Sequence, residues 1–356
     1  TERKYDTYDY DTEQLYLQFK SPITVNESTT LTPYVDLNYQ TFESSTWLNQ
    51  QRPGCNGIQS CDVKAQQTQM NLGARLDGQL SFEPIHYSFL YNHLFSENEN
   101  EPRFQTDRKK FSNDFDYASV EFDLNYILDQ QRYSVHLAQG LRTPTLSELF
   151  GDRGSFKGND NLKAEKSQSI TLNAQWLWQA ITLQNTLYYQ DVDNTIVAIF
   201  NSSGIGSYTN VASSISWGWS GHVNIKLNPK ISVSANVDLI DSSTQSRFVA
   251  FDNKKLPGVY HQQFQLQANY QVSPDWQLSL ITRKEQELFF DRANKVSSRT
   301  NFNTDRNTTR LLLSWQRNNY VMSLIVNNLF DQTYYDLAYR PAPGRNVQLK
   351  FIIKEF

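Results

Sequence analysis

Residues 320–356 decide the fold, and they read YVMSLIVNNLFDQTYYDLAYRPAPGRNVQLKFIIKEF. Two series of apolar residues recur in this stretch at every second position: Met322, Leu324 and Val326, then Val347, Leu349, Phe351 and Ile353. A period of two is the side-chain repeat of a β-strand, so the stretch predicts two strands joined by an aromatic loop. Alternation that runs to an aromatic C-terminal residue is typical of a strand with lipid on one face and water on the other.

Four features of this stretch occur in a fixed order. They are Asn327-Asn328-Leu329-Phe330-Asp331, the pair Tyr334-Tyr335, the turn Pro343-Gly344-Arg345, and an alternating strand that ends at Phe356. In this order they resemble the C-terminal signature of TonB-dependent outer-membrane receptors. One departure is that Phe356 lies an odd number of positions beyond Ile353, out of the apolar register. A bulge or a shifted last residue would reconcile the two.

A second motif lies in residues 141–165, LRTPTLSELFGDRGSFKGNDNLKAE. It resembles the mid-barrel extracellular loop of the same family through Arg142, Pro144, Glu148, Leu149, Phe150, Gly158, Asn159, Leu162, Lys163 and Glu165. Leu141 and Thr143 replace the Phe and Ala that are commoner there. We interpret this loop first as a structural rim. Arg142 is the exception, because a guanidinium in a cleft can bind an anionic ligand in bidentate fashion.

The composition alone would suit an ordinary soluble protein of two domains, with 356 residues, 38% hydrophobic and 20% charged. However, 13% of the residues are aromatic and no long helical pattern is present to bury them. No apolar run is long enough for a membrane helix, which excludes a helical membrane protein. A transmembrane barrel fits better, since only alternate residues of its strands face lipid. The net charge of −4 and the lack of a basic cluster disfavour nucleic acid as a partner.

Alternating segments recur along the whole chain, and we count about fifteen strands with connections that are alternately short and long. The predicted fold is therefore all-β, an antiparallel transmembrane barrel with short periplasmic turns and long extracellular loops. Pro33 and Pro84 lie in strand-like runs and count against a strand locally, unless they lie at strand entries or bulges. If the last strand ends in the periplasm, counting back through the connections places the start of the first strand outside the cell. The number of strands is then odd, whereas bacterial single-chain barrels usually have an even number.

The resemblance implies a barrel of about twenty-two strands that encloses an N-terminal plug. Residues 1–356 would then be the C-terminal portion of the barrel, without the plug and about seven first strands. The alternative is a complete smaller barrel with one strand not recognised in the sequence.

Candidate ligand-binding residues are polar side chains on the inward positions of the predicted strands, together with the loop arginine: Tyr34, Asp36, Arg75, His136, His222 and Arg142. Cys55 and Cys61 lie close together in a polar loop and predict a disulfide; two free thiols or a metal clip are the alternatives. We predict no resident metal, no cofactor and no catalytic residues. The sequence contains no phosphate loop, no His-Glu-x-x-His and no Gly-x-Ser-x-Gly motif.

The function implied by the resemblance is capture and TonB-dependent import of a scarce small molecule across the bacterial outer membrane. A ferric siderophore, a metal chelate, is the first expectation, because it is frequent in the family; haem, cobalamin and an oligosaccharide are alternatives. The partners implied are the TonB energy-transducing complex, acting through the plug, and outer-membrane lipid. Two other classes remain: a passive porin-like channel closed by its own strands, and a barrel enzyme with a Ser-His or Asp-His group at one rim.

Overall fold

The computed structural model describes residues 6–48, 63–80, 83–102, 111–151, 156–200, 206–211, 213–246, 248–297, 305–337 and 340–354. In chain order its strands are β1 (Asp6–Lys20), β2 (Ile23–Asn26), β3 (Thr29–Leu48), β4 (Val63–Gln79), β5 (Ile85–Pro102), β6 (Phe111–Leu128), β7 (Gln131–Arg142), β8 (Phe156–Lys157), β9 (Glu165–Leu177), β10 (Ile181–Asp193), β11 (Ile196–Phe200), β12 (Gly206–Asn210), β13 (Ser213–Asn228), β14 (Ile231–Gln245), β15 (Tyr260–Gln271), β16 (Trp276–Leu288), β17 (Arg306–Arg317), β18 (Tyr320–Asn327), β19 (Tyr335–Leu337), β20 (Arg340–Pro341) and β21 (Asn346–Ile353). The helical elements are α1 (Leu146–Phe150) and a 3₁₀ turn, Val249–Phe251.

One large sheet contains most of these strands. Its order is β1-β3-β4-β5-β6-β7-β9-β10-β13-β14-β15-β16-β17-β18-β21, with β2 paired to β3 beside this path. The all-β, antiparallel prediction is confirmed, and the fifteen strands of the path match the predicted number. The order is linear, with β1 and β21 at its two ends, and within the described ranges no pairing joins these two strands.

The connections between successive strands of this path are alternately short and long, as the sequence predicted. Short connections are residues 80–84, 129–130, 178–180, 229–230, 272–275 and 318–319, and long ones include 143–164, 194–212, 246–259, 289–305 and 328–345. Because antiparallel strands reverse direction at each connection, all the short turns lie at one end of the sheet and all the long loops at the other. Cys55 and Cys61 belong to residues 49–62, outside the described part of the chain.

Contacts between Cα atoms divide the chain into two compact units. The first unit comprises residues 1–124, 136–169 and 191–213, and the second comprises residues 125–135, 170–190 and 214–356.

In the first unit one face of the sheet is apolar and exposed. The register places Leu17 opposite Leu37, and Val35 opposite Leu72. Directly opposed residues share a face, so these side chains form one band across β1, β3 and β4. No layer covers the band: Leu15 is 58% exposed and Phe19 is 61% exposed. Such an arrangement is what a sheet in contact with lipid requires.

The second unit has a band of the same kind on β14 to β21. Val237 lies opposite Phe264, Leu324 opposite Leu349 and Met322 opposite Phe351. Leu266 is 54% exposed and Leu349 is 73% exposed. The residues between them are polar and share the other face, for example Asn236 opposite Gln265. The alternation in the sequence therefore separates an apolar face from a polar face in each unit.

The structure corrects the interpretation of one proline. Pro33 lies inside β3, paired with Ala74 of β4, although the sequence analysis counted it against a strand. Its carbonyl accepts a hydrogen bond from Ser21 N (3.2 Å), which is where the pairing of β3 with β1 ends. A residue at the end of a ladder needs no N–H for that ladder, and this explains why proline is tolerated there.

The buried apolar cluster of the first unit lies among its long loops rather than between sheets. It contains Phe42, Val63, Ala65, Leu146, Leu149, Phe150 and Leu162, with Ile196 and Tyr208 packed against it. Three of these residues are from α1, so this helix is fixed on the loop ends of β3 and β4. Among the described residues no helix is long and apolar enough to cross a membrane.

Candidate functional site

Arg142 lies at the loop end of β7 and holds two carboxylates of the 141–165 motif. Its Nε donates to Glu165 Oε2 (2.7 Å) and its Nη1 donates to Glu148 Oε2 (2.9 Å). The hydrogen bond to Glu165, with a smaller effect of Glu148, raises the pKa of the Arg142 guanidinium above its ordinary value. The side chain remains 43% exposed. We call this group the arginine clasp.

The two glutamates of the clasp also bind backbone groups. Glu148 Oε2 accepts from Thr145 N (2.8 Å) while Thr145 Oγ1 accepts from Glu148 N (3.2 Å), which is a capping box at the start of α1. Glu165 Oε1 accepts from Ile196 N (2.6 Å) at the start of β11. The clasp therefore connects β7, α1, β9 and the loop that follows β10.

Asn210 joins the same two loops, and the sequence analysis did not identify it. Its Oδ1 accepts from Lys163 N (2.8 Å), and its Nδ2 donates to Lys163 O (2.9 Å) and Asn194 O (2.6 Å). Asn159, a motif residue, donates from Nδ2 to Tyr208 O (2.9 Å). The motif residues thus hold a folded loop, which fits the structural interpretation of the motif.

Three of the predicted ligand residues lie on the polar face of β3 and β4. Tyr34 donates to Asn92 Oδ1 (3.2 Å), and its ring lies directly across Gly73. Asp36 lies opposite Asn71 in the register. Arg75 Nε donates to both oxygens of Asp77 (2.9 and 3.0 Å), close to the short-turn end of β4. The three residues share a face, but the Arg75 guanidinium is already bonded to Asp77 and lies far from the long loops.

The two predicted histidines occupy separate positions. His136 Nδ1 donates to Asp123 Oδ1 (2.7 Å) on β6, in the first unit. His222 is in the second unit, where its Nδ1 donates to Asn236 Oδ1 (2.5 Å) on β14. If the ring is neutral, donation from Nδ1 leaves the lone pair on Nε2. Five of the six predicted ligand residues therefore belong to the first unit, and His222 belongs to the second.

A groove of about 310 Å³ surrounds His222 on the polar face of the second unit. The polar residues that line it include Asn236, Asp238, Gln263, Gln265 and Arg283. Gln265 Oε1 accepts from Arg283 Nε (3.2 Å) and Nη2 (2.8 Å), and Arg283 Nη1 lies 3.9 Å from Glu285 Oε1. The groove combines a cation, a carboxylate and several amides in a small volume. We call it the inner groove.

Of the residues of the inner groove, the sequence analysis named only His222. A signal was present for most of the others, since Asn236, Asp238 and Gln265 each occupy a polar position between two apolar ones, as Asp238 does between Val237 and Leu239. Arg283 has no such signal, because it lies between Thr282 and Lys284. What the sequence does not give is the register that places Asp238 opposite Gln263, and Gln265 opposite Arg283. Among the described residues no group of three or more His, Cys, Asp or Glu is placed to hold a metal ion.

A model of the family described as "TonB dependent receptor-like, beta-barrel" matches residues 2–329. The chain belongs to this family. Its members are receptors and transporters of the outer membrane rather than enzymes, which agrees with the resemblance seen in the sequence. No curated protein matches the chain.

Solved structures of TonB-dependent receptors have the same fold. The copper transporter OprC gives a TM-score of 0.79 at 14% identity, over 98% of this chain and 57% of that one. The ferric yersiniabactin uptake receptor FyuA from Yersinia pestis gives 0.76 at 16% identity, over 99% of this chain and 55% of that one. The siderophore receptor PiuA from Acinetobacter baumannii gives 0.74 at 15% identity, over 98% and 56%. The chain thus spans little more than half the length of these receptors.

Proposed function

We propose that this TonB-dependent receptor captures a ferric siderophore or a similar metal chelate at the outer membrane. The inner groove is the observation that carries the proposal. A hydroxylated, charged chelate needs both donors and acceptors, and Arg283 lies near Asp238 and His222 there. In this proposal the inner groove is part of the polar, water-facing surface of the barrel, where the ligand binds.

The range of ligands bound by structural neighbours supports a metal-bearing ligand but does not select one. Those neighbours include a copper transporter, a ferric yersiniabactin uptake receptor and a ferric citrate transporter. Haem is a weaker candidate. Haem receptors with a similar loop use an axial histidine, and the 141–165 loop contains none. Uptake itself would require the TonB complex as a partner.

The linear strand order supports a receptor wall rather than a small self-closed channel. In this account further strands pair with the free edges of β1 and β21 to complete a larger barrel of the family's size.

A binding screen with the purified protein tests the proposal. The probes are ferric catecholate, hydroxamate and citrate chelates, a copper salt, haem, cobalamin and a neutral oligosaccharide, each measured by calorimetry. We expect saturable binding of one ferric chelate, and weaker binding by Arg283→Gln and His222→Gln. Arg317→Gln is the matched control and should bind as the wild type does, because Arg317 is the last residue of β17, beside the short turn 318–319. Binding of cobalamin, haem or the oligosaccharide alone would contradict the assignment to a ferric chelate.

A further inference from the structure

Two opposed amides of the inner groove are each held by their oxygen atom. His222 Nδ1 donates to Asn236 Oδ1 (2.5 Å), and Arg283 donates from Nε and Nη2 to Gln265 Oε1 (3.2 and 2.8 Å). Asn236 lies directly opposite Gln265 in the register of β14 and β15, and both residues line the groove. Because the oxygens are engaged, the groove offers the two amide nitrogens to a ligand as neighbouring hydrogen-bond donors.

The formal charges of the described residues that line the inner groove cancel. Arg283 contributes one positive charge and Asp238 one negative charge, and the other lining residues are uncharged when His222 is neutral. The Arg283 guanidinium is also shared with Gln265 and lies 3.9 Å from Glu285 Oε1. For a strongly anionic ligand, repulsion by Asp238 would offset the attraction of Arg283, and the hydration that the ligand loses on binding would not be replaced.

The common classes of ferric chelate differ in their charge. Three hydroxamates, with one negative charge each, cancel the charge of iron(III). Three catecholates, with two negative charges each, leave a chelate with three negative charges, and ferric citrate is also anionic. The oxygen atoms of a trihydroxamate accept hydrogen bonds from uncharged donors such as amide N–H groups. Fixed amide donors in a lining without net charge therefore match a trihydroxamate better than the two anionic classes.

We propose that the inner groove selects a ferric trihydroxamate, with Asn236 and Gln265 binding its oxygen atoms and Asp238 excluding anionic chelates. The inference rests on the proposed function, because it names the class of chelate that binds at the same site. His222 and Arg283 are positioning residues in this arrangement. They hold the oxygens of the two amides, which leaves the amide nitrogens to donate to the chelate.

A comparison of three ferric chelates on the purified protein tests the selection, with affinities measured by calorimetry. The probes are a trihydroxamate, a tricatecholate and citrate. We expect the trihydroxamate to bind about tenfold more tightly than either anionic chelate, or better. Equal or tighter binding of the tricatecholate or of citrate would overturn this inference and leave the proposed function standing. Absence of binding by all three chelates would contradict both.

The role of Asp238 is tested by Asp238→Asn, which gives the inner groove one net positive charge. Tricatecholate binding should strengthen by about tenfold at low salt and by less at high salt, because added ions screen the new charge. Trihydroxamate binding should not change. Asp275→Asn is the matched control, since it makes the same change of charge in the short turn 272–275. An unchanged affinity for the tricatecholate in Asp238→Asn, or an equal gain in Asp275→Asn, would overturn the inference.

The donor role of Gln265 is tested by Gln265→Glu. This substitution keeps an oxygen that can accept from Arg283 and removes the amide N–H groups. We expect trihydroxamate binding to weaken by about tenfold, the loss expected for one hydrogen bond to the ligand. The matched control is Gln267→Glu, two positions along the same face of β15, where the amide donates to Asn269 Oδ1 (3.0 Å). Wild-type affinity in Gln265→Glu, or an equal loss in Gln267→Glu, would contradict the proposal.

Discussion

Gly73 is the residue on which the packing of Tyr34 depends. A Cβ atom at this position would lie 2.3 Å from Tyr34 Cζ, so the ring occupies the space that a side chain would need. The ring in turn places its hydroxyl on Asn92. Tyr34, proposed from the sequence as a ligand residue, therefore has a structural role that the sequence pattern did not reveal.

Gly73→Ala should destabilise the protein by about 1–2 kcal/mol, because the ring must turn away and lose its hydrogen bond. Urea unfolding of the protein in lipid vesicles measures this change. Gly140→Ala is the control, since a Cβ at Gly140 would meet only Ser167 Oγ, at 3.4 Å. Equal stability of Gly73→Ala and Gly140→Ala would contradict the packing argument.

Arg142→Ala should loosen α1 and residues 156–164, since Glu148 and Glu165 would lose their common cation. We expect faster hydrogen exchange of the amides in α1, measured by mass spectrometry, with the strands unchanged. Lys163→Ala is the control, because the hydrogen bonds between Lys163 and Asn210 use the lysine backbone.

The alternative role of Arg142, contact with an anionic ligand, has a different signature. In that case Arg142→Ala would weaken ligand binding more at low salt than at high salt, since exposed charge pairs are screened by ions. Normal exchange in α1 together with such a salt dependence would contradict the structural role.

The strands are the elements that the sequence predicts best, because a period of two is a local property. Ala118 to Tyr126 lies in β6 and Ile170 to Trp176 in β9, as the alternation indicated. The elements inside the long loops were not predicted. α1 and the small sheet of β8, β11 and β12 are stabilised by contacts between loops and with Val63 and Ala65, far away in sequence.

The inner groove could not be predicted for a related reason. It depends on which residues are opposite each other on neighbouring strands, and alternation gives the face of a residue but not its partner. Thus His222 was recognised as a polar-face residue, whereas its neighbours Asn236 and Arg283 needed the register.

Leu124→Lys should cost about 2–4 kcal/mol of stability in a bilayer, because Leu124 is an exposed residue on the apolar face of β6. Unfolding in vesicles measures the cost. Asn125→Lys, one position along β6 and on the polar face, should be nearly neutral. If Asn125→Lys were the costly substitution, the assignment of the two faces would be reversed.

For the whole molecule, one property explains both the composition and the fold: apolar side chains are exposed on one face of the sheet instead of being buried in a core. A chain that is only 38% hydrophobic leaves many leucines, valines and aromatic residues exposed on the apolar face of the sheet in each unit, while the other face is mainly polar. A water-soluble protein of this size would bury those apolar residues in a core. The buried apolar cluster seen in the first unit lies instead where α1 and the long loops pack on the ends of β3 and β4.

The most direct test of this property is a scan of spin labels placed one at a time along β14, from Ile231 to Leu239, in the protein reconstituted in vesicles. Collision rates with oxygen, which concentrates in lipid, and with a water-soluble nickel complex are measured at each position. The account predicts that oxygen collisions peak at odd-numbered residues such as Val237, and nickel collisions at even-numbered ones such as Asn236. Labels shielded from both reagents, or rates without a period of two, would contradict it.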